Sequence, residues 1–335
     1  MESLSKRTAI ITGVQGQDGS YLSKLLLSKG YFVIGLERRK AQPANVTNFR
    51  LKDIIKHPKF LLVKGDVTDA GCINRLVSEY KPDEYYNLAA MSFVPESWNS
   101  PSTTMDINCG GVINALEAIR TFSPKTRFYQ ASSSEMFGDN PNYPYNENSY
   151  FSPRSPYGVS KVSAHYIVKV YRESYNTFAC CGILFNHGSE FRGEEFVTKK
   201  IAKSVAEIKK GLRAKIILGN LDAKRDWGHA QDYVKGMFLM LQHKNPDDYV
   251  IATGEAHSVG EFVEKAFAVV GITNWKDYVD IGKEFIRPAE VSVLIGNAKK
   301  AEEVLKWRKD VSFDHLVERM VNFELEKLTN QKELS

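Results

Sequence analysis

The stretch TAIITGVQGQDGSYLSKLLL, residues 8–27, is the most informative guide to the fold of this 335-residue chain. Its first five residues predict a short buried strand, and Ser20 to Leu27 predict a helix. Three glycines with the spacing G-x-x-G-x-x-G, Gly13, Gly16 and Gly19, lie between them. Glycines at this spacing let the backbone approach a pyrophosphate and direct the N–H groups of the helix towards it. The stretch therefore predicts a strand–turn–helix unit that binds a dinucleotide.

Strand-like apolar runs alternate with amphipathic helices through the first half of the chain. The predicted strands are residues 31–36, 60–67, 84–90, 127–132 and 178–185, and a helix is predicted at 70–80. This alternation is typical of a parallel sheet that is covered by crossover helices. The predicted fold class is α/β, a doubly wound parallel sheet of the Rossmann type with a smaller C-terminal substrate-binding lobe.

The sequence pattern changes after residue 187, where charged and glycine-bearing segments replace the apolar runs. A helix at 231–242 and a strand at 248–252 are predicted to return to the sheet. We therefore expect residues 1–187, with about 230–255, to form a dinucleotide-binding domain. The remaining segments, 188–229 and 256–335, are expected to form the smaller lobe.

A Tyr-x-x-x-Lys pair, Tyr157 and Lys161, follows the segment Ser132-Ser133-Ser134-Glu135 along the chain. On a helix the two side chains lie one turn apart on the same face, so the ammonium group can lower the pKa of the phenol towards working pH. A phenolate beside a hydroxyl and a nicotinamide can take the proton of a secondary alcohol. The alternative is a partly buried Tyr next to a solvated Lys, which is common in helices.

Glu135 adds a second acid/base group, which simple oxidation of an alcohol does not need. Its position directly after a strand end and a run of serines favours the active site. The alternative is a carboxylate at a helix start that is stabilised by the helix dipole.

The composition favours a globular enzyme. The 45 basic and 40 acidic residues give a net charge of +5 without long runs of one sign, which argues against a nucleic-acid-binding surface but allows a local basic pocket. No apolar stretch approaches the roughly 20 residues that span a bilayer, and we expect a cytoplasmic protein. The four cysteines are expected to be free thiols. Because the seven histidines are scattered, we predict no metal site.

Several motifs resemble one family, the GDP-mannose 4,6-dehydratases within the extended short-chain dehydrogenase/reductase group. The similarity extends from about residue 7 to about residue 325. It is strongest in the segments 13–22, 128–132, 153–158, 182–187 and 218–229. The run GNLDAKRDWGH, residues 219–229, is long and rich in uncommon residues, so chance similarity is improbable.

The resemblance implies a redox-neutral dehydration with a tightly held cofactor. Tyr157, aided by Lys161 and Ser133, would deprotonate the 4-hydroxyl of the sugar while hydride passes to the nicotinamide. Glu135 would then remove the C5 proton and assist the loss of water from C6. Return of the hydride to C6 would give a 4-keto-6-deoxy sugar.

The resemblance also implies two sets of binding residues. Those at cofactor positions, in addition to Tyr157 and Lys161, are Gly13, Gly16, Gln17, Asp18, Gly19, Arg38, Asp66, Val67, Leu88, Ala89, Ala90, Ser92, His187 and Arg192. Those at nucleotide-sugar positions are Asn186, Val197, Lys200, Arg225, Arg287 and Glu290. Arg225 and Arg287 suit a pyrophosphate because a guanidinium group can bond two oxygens at once, although either could instead form a surface ion pair. The implied partner is GDP-mannose or a related GDP-sugar.

The expected cofactor is NADP, because Arg38 and Arg39 match a basic pair that suits a 2′-phosphate. Glu37 keeps NAD as an alternative, since NAD enzymes place an acid on the ribose hydroxyls at this strand end. We also expect a homo-oligomer, either a dimer or a tetramer. Met91 and Phe93 depart from the Gln and His that are common in the family, which bears on the shape of the sugar pocket.

Three other functions stay open at this point. One is a GDP-4-keto-6-deoxymannose reductase, which would consume NADPH. Another is a dehydratase for a related GDP-heptose. The third is a non-catalytic nucleotide-binding regulator, because a fold does not fix a function. The presence of Ser133, Glu135, Tyr157 and Lys161 argues against the regulator.

Overall fold

The structure of the protein, a computed structural model, describes residues 7–38, 48–282 and 291–332. The strands are β1 (Thr8–Thr12), β2 (Phe32–Glu37), β3 (Phe60–Lys64), β4 (Glu84–Asn87), β5 (Arg127–Ser133), β6 (Ala179–Leu184), β7 (His187–Gly188), β8 (Ile216–Leu218), β9 (Lys224–Asp226), β10 (Gly228–His229), β11 (Asp248–Ile251), β12 (Ala256–Ser258), β13 (Val279–Ile281) and β14 (Val293–Leu294). The α-helices are α1 (Gln17–Ser28), α2 (Ala70–Tyr80), α3 (Glu96–Asn99), α4 (Pro101–Met105), α5 (Gly111–Phe122), α6 (Pro156–Tyr175), α7 (Val197–Lys209), α8 (Ala230–Gln242), α9 (Val259–Val269), α10 (Lys299–Leu305) and α11 (Phe313–Lys332).

Seven parallel strands form the main sheet in the order β11-β6-β5-β4-β1-β2-β3. The strand order reverses between β1 and β4, and ligands of doubly wound sheets bind at the carboxyl ends of the strands beside such a reversal. The predicted Rossmann-type fold is therefore confirmed. The predicted strand at 248–252 is present as β11, which pairs with β6 at the edge of the sheet.

Two apolar layers cover the faces of this sheet. On one face, α1 and α8 contribute residues such as Leu26 and Met237 to a single buried cluster. On the other face, α2, α5 and α6 form a second buried cluster. Cys180 belongs to the first cluster and Cys181 to the second, because neighbouring side chains of β6 point to opposite faces. All four cysteines are free thiols, as expected.

A third buried cluster forms the core of the smaller lobe. It joins α7, α9 and α11 around residues such as Ile201, Phe262 and Leu316, and Trp227 packs into it. The ring of Trp227 lies parallel to the ring of Phe313, with 6.0 Å between their centroids. The division into a dinucleotide-binding domain and a lobe stays a proposal with the boundaries given above.

Three predicted boundaries differ from the structure by three residues, each for a local reason. Helix α1 begins at Gln17 rather than Ser20, so the third glycine of the turn lies inside the helix. Strand β3 ends at Lys64 rather than residue 67, because the Asp66 carboxylate accepts hydrogen bonds from the Thr68 N–H and hydroxyl and turns the chain. Strand β4 ends at Asn87 because the next two N–H groups donate to the side chain of Thr12.

Among the described residues, none of the helices combines the length and the apolar character that crossing a bilayer requires. The cytoplasmic location stays a prediction.

The close contact between Gly19 and the start of the turn leads to a first prediction. A Cβ atom at Gly19 would lie 2.5 Å from the Gly13 carbonyl oxygen. Gly19→Ala is therefore expected to lower the free energy of unfolding by about 1–3 kcal/mol, the usual cost of forcing a methyl group into a packed site. Gly110→Ala is the matched control, since a Cβ atom there meets nothing within 4 Å. Equal midpoints for the two variants in urea denaturation would contradict the expectation.

Candidate active site

The glycine turn lies directly against the end of β4. A Cβ atom at Gly13, which has a φ of +67°, would lie 2.8 Å from the backbone of Leu88 and Ala89. The N–H of Gly16 donates to the carbonyl of Gly13, and Gly16, the N-cap residue of α1, provides no side-chain cap. An uncapped helix start behind a tight glycine turn is a site for an anion such as a pyrophosphate. These features fit a dinucleotide.

A cavity of about 670 Å³ lies between the carboxyl ends of the sheet strands and the smaller lobe. The sheet side contributes the residues that follow β4, β5 and β6, and the lobe side contributes α7 and the segment 218–227. Of the predicted residues, those that line the cavity are Asp18, Leu88, Ala90, Ser92, Ser133, Glu135, Tyr157, Lys161, Asn186, His187, Arg192, Val197, Lys200 and Arg225. The fold thus gathers predicted catalytic, cofactor and substrate residues around one space.

The four predicted catalytic residues share this cavity, although they come from two elements and a turn. Ser133 ends β5, and Glu135 lies in the helical turn Ser134–Met136 that follows. Tyr157 and Lys161 lie in the first turns of α6. Ser155 caps this helix by accepting a hydrogen bond from the Gly158 N–H, and Pro156 occupies its first position. The cap and the proline fix where α6 starts and therefore which face carries the Tyr–Lys pair.

Burial dominates the electrostatics of Tyr157. It raises the pKa of the phenol to about 12. A hydrogen bond with the Ser133 hydroxyl and the positive charge of Arg192 act in the opposite direction and lower the pKa. Lys161 was expected to lower the pKa of the phenol, but it is not the main influence on this pKa. The Lys161 ammonium group lies 5.8 Å from the centroid of the Tyr157 ring and donates to the Ala131 carbonyl at 2.8 Å. Burial also lowers the pKa of Lys161 to about 8.

The glycine turn is tied to the chain that follows β6. The Nε2 of His187 lies 2.9 Å from Oδ2 of Asp18, and the Ser189 hydroxyl donates to Oε1 of Gln17 at 2.8 Å. Burial works to raise the pKa of Asp18, but His187, the hydrogen bond from Gln17 and the charge of Arg192 together outweigh burial, so the pKa lies below its usual value. Several predicted cofactor residues therefore form one hydrogen-bonded group.

The predicted substrate residues line the lobe side of the cavity. Oδ1 of Asn186 is buried and has no hydrogen-bond partner among the described residues, which suits an oxygen that accepts from a bound ligand. Lys200 and Arg225 bring two cationic side chains to the same wall. Arg287 and Glu290, and Arg39 of the predicted basic pair, lie outside the described residues.

Other predicted cofactor residues lie along the sheet edge beyond the cavity lining. Asp66 and Val67 follow the end of β3, and Arg38 is exposed directly after β2. Glu37 ends β2, and its Oε2 accepts a hydrogen bond of 2.7 Å from the Gln15 side chain. The same amide nitrogen donates to Oδ1 of Asn48 at 2.6 Å. Gln15 therefore joins the glycine turn to the end of β2, where Glu37 and Arg38 are expected to set the preference between NAD and NADP.

The apolar wall of the cavity was not predicted from the sequence. Phe93, Trp98 and Phe196 line it, and the rings of Phe93 and Phe196 meet edge to face with 5.9 Å between their centroids. The guanidinium carbon of Arg192 lies 3.6 Å from the centroid of Phe196, which holds this arginine over the cavity. The departure at Phe93 from the family pattern was the one signal in the sequence.

Asp226 has a structural part in the motif at residues 219–229. Its buried carboxylate accepts hydrogen bonds from the N–H and hydroxyl of Thr253 and from the N–H groups of Gly254 and Gly296. Burial still raises its pKa above the usual value. The carboxylate fixes β9 and thereby places Arg225 and Trp227, which flank it, in the cavity wall.

Sequence comparisons identify close relatives over almost the whole chain. A family model described as GDP-mannose 4,6 dehydratase matches residues 10–320. GDP-mannose 4,6 dehydratase 2 of Arabidopsis thaliana is 49% identical over 339 residues, which cover 98% of this chain and 90% of the relative. The GDP-mannose 4,6 dehydratase of Homo sapiens is 44% identical, with 96% of this chain and 92% of the relative covered. That of Vibrio cholerae is 42% identical, with 94% and 93% covered.

Solved structures with the same fold are more distant in sequence. DesIV, a dTDP-glucose 4,6-dehydratase from Streptomyces venezuelae with NAD and TYD bound, has a TM-score of 0.86 at 23% identity and covers 98% of this chain and 100% of its own. The structure of RMD from Pseudomonas aeruginosa complexed with NADPH has a TM-score of 0.78 at 21% identity, with 96% and 100% covered. These structures share the fold and hold a nicotinamide dinucleotide, NAD in one and NADPH in the other.

Proposed function

The chain belongs to the GDP-mannose 4,6-dehydratase family of hydro-lyases, and we propose that the residues of its own cavity carry out that reaction. The substrate would be GDP-mannose, and the product GDP-4-keto-6-deoxymannose. One observation carries the proposal. Ser133, Glu135, Tyr157 and Lys161 line a single cavity together with cationic side chains on the opposite wall. A reaction that needs two bases and a pyrophosphate anchor has each of these groups within one space.

Tyr157 is the proposed base for the 4-hydroxyl of the sugar. A bound, oxidised nicotinamide dinucleotide would supply the hydride acceptor for C4 and, once reduced, the hydride donor for C6, and Tyr157 would return its proton to C5. Ser133 is positioned to share the proton of the sugar hydroxyl, because its own hydroxyl forms a hydrogen bond with the phenol of Tyr157. The Arg192 charge stabilises the phenolate against the cost of burial. Gly13, Gly16, Gln17, Asp18 and His187 would hold the dinucleotide.

Glu135 is the proposed base and acid of the elimination. Once C4 is a ketone, the C5 proton is acidic, and the carboxylate can remove it. The same group can then give the proton to the C6 hydroxyl, which leaves as water while the C5–C6 double bond forms. Glu135 is buried at the cavity floor, and its N–H donates to the Ser133 hydroxyl at 3.3 Å.

Arg225 and Lys200 are proposed to bind the pyrophosphate of the GDP-sugar, and Asn186 and Val197 to contact the rest of the substrate. A guanidinium fork can bond two phosphate oxygens at once, whereas an ammonium group acts as a point charge. Arg225 is buried in β9 beside Asp226, so its position is set by the lobe core. Arg287 and Glu290 keep their expected substrate role as a proposal.

Product analysis with GDP-mannose tests the reaction. The wild-type protein with cofactor should release GDP-4-keto-6-deoxymannose without net consumption of the cofactor, as measured by mass spectrometry. Tyr157→Phe should lower the rate about 10²–10⁴-fold, because the group that takes the first proton is lost. Glu135→Gln should lower it by a similar factor, yet a 4-keto sugar that retains its C6 hydroxyl should accumulate on the enzyme.

Tyr85→Phe is the matched control for these variants. Tyr85 is buried outside the cavity lining and its hydroxyl has no hydrogen-bond partner among the described residues, so its loss should leave turnover unchanged. Release of product by Glu135→Gln at the wild-type rate would assign the elimination to another group. If the wild type converts a GDP-heptose and leaves GDP-mannose intact, the proposed sugar is wrong.

NADP is the proposed cofactor. The hydrogen bond from Gln15 engages one carboxylate oxygen of Glu37, which leaves this acid less available to two ribose hydroxyls. Arg38 is exposed beside it and can pair with a 2′-phosphate.

Calorimetric titration of NADP and NAD tests this preference. Arg38→Ala should weaken NADP binding about tenfold, the effect of losing a charge-assisted hydrogen bond of roughly 1.5 kcal/mol, and should leave NAD binding unchanged. Arg308→Ala, an exposed arginine outside the cavity lining, is the control. Tighter binding of NAD than of NADP by the wild type would overturn the proposal.

A homo-oligomer is also proposed, because α6 exposes apolar side chains along one face. Val159, Tyr166 and Val170 are 45%, 51% and 49% exposed, and their spacing places them on the same side of the helix. Light scattering should give a dimer or tetramer for the wild type. Val170→Lys should weaken the assembly, whereas Val304→Lys, at an exposed position of α10, should not. A monomeric wild type at micromolar concentration would refute the proposal.

A further inference from the structure

Three side chains that commonly bind metals come together behind the active site. They are His165 on α6, Cys181 on β6 and Asp248 at the start of β11. One ligand atom from each residue lies within 4.8 Å of the other two. The three residues are far apart in the sequence and none of them lines the catalytic cavity. They form a cluster that the described reaction does not use.

Hydrogen bonds hold the imidazole ring and the carboxylate of this cluster in place. The Nδ1 of His165 lies 3.1 Å from the Ser132 hydroxyl, which leaves Nε2 facing Oδ2 of Asp248 at 3.7 Å. The other carboxylate oxygen, Oδ1, accepts hydrogen bonds from the Cys181 N–H at 3.1 Å and from Arg172 at 2.5 Å. Protein metal sites are oriented by such outer contacts on the far atoms of their ligands.

The donor set selects one class of ion. An imidazole nitrogen, a thiolate and a carboxylate oxygen suit a borderline-soft divalent ion such as Zn²⁺ or Co²⁺, whereas Mg²⁺ and Ca²⁺ prefer oxygen ligands. His165 and Cys181 are 5% and 0% exposed, so Asp248, the least buried of the three, offers the route from solvent. Arg172 places a positive charge beside Asp248, so the affinity should be lower than that of a site with several thiolates.

We propose that His165 Nε2, Cys181 Sγ and the Asp248 carboxylate bind one divalent ion of the zinc type, with water completing its coordination. The metal–sulfur bond replaces the thiol S–H bond of Cys181, and the proton leaves to solvent. In this arrangement Nδ1–H of His165 donates to the Ser132 hydroxyl. Ser132 lines the catalytic cavity next to Ser133, so the ion would fix the end of β5 from behind. The scattered histidines of the sequence led us to predict no metal site. The three ligands come together only in the fold, so their spacing in the sequence does not indicate a site.

Titration of the full-length protein with Co²⁺ tests the site directly. After treatment with a chelator and its removal, the wild type should develop a thiolate-to-cobalt charge-transfer band in the near ultraviolet that saturates at one equivalent. Added Zn²⁺ should abolish the band. Cys181→Ser should lose it, and His165→Gln should weaken Co²⁺ binding at least about tenfold.

Cys180→Ser is the matched control, because Cys180 is equally buried but faces the opposite side of β6. It should keep the band and the affinity of the wild type. Circular dichroism of each variant reports whether it is folded. If Cys181→Ser does not fold, the Co²⁺ affinity of His165→Gln tests the proposed site instead. A band that survives Cys181→Ser, equal loss in Cys180→Ser, or no band in the wild type would overturn the proposal.

Discussion

A chain of buried hydrogen bonds across the carboxyl ends of β1, β4 and β5 holds the active site together. The Thr12 hydroxyl donates to Oδ1 of Asn87 at 2.8 Å and accepts from the N–H groups of Leu88 and Ala89. The amide nitrogen of Asn87 then donates to the side chain of Gln130. Thr12, Asn87 and Gln130 are almost fully buried, so an unpaired group here would be costly. Because the glycine turn follows β1 and Ser133 ends β5, these bonds set the distance between cofactor and catalytic residues.

The same constraint extends to the smaller lobe, which forms the other wall of the cavity. The chain after β6 contacts the glycine turn through His187 and Ser189, and then enters α7 of the smaller lobe. Arg50 extends this contact by donating to the carbonyls of both Gln15 and Phe191. Behind it, the buried ion pair of Lys199 with Glu324 joins α7 to α11, and a partly buried pair of Glu190 with Arg319 joins the segment before α7 to α11. Breaking such a pair on one side is costly, so the lobe is fixed relative to the turn.

The electrostatics of the site follow from burial more than from any single charge. The phenol of Tyr157 has a raised pKa and Lys161 has a lowered one, since desolvation disfavours the charged form of each. Arg192, held against Phe196, is the cation that supports the phenolate. The apolar wall of the cavity thus affects the pKa of Tyr157 indirectly, because Phe196 holds Arg192 in position.

The sequence was enough to predict the strand–turn–helix at residues 8–28, the alternation that makes the sheet, and the four proposed catalytic residues. These depend on short-range properties: side-chain periodicity, the freedom of glycine and the spacing of one helical turn. The tertiary structure was needed to reveal the contact of Gln15 with Glu37, the structural part of Asp226 and the raised pKa of Tyr157. It alone brought His165, Cys181 and Asp248 together. Burial and the distance between residues far apart in the chain arise from packing, and no local pattern encodes them.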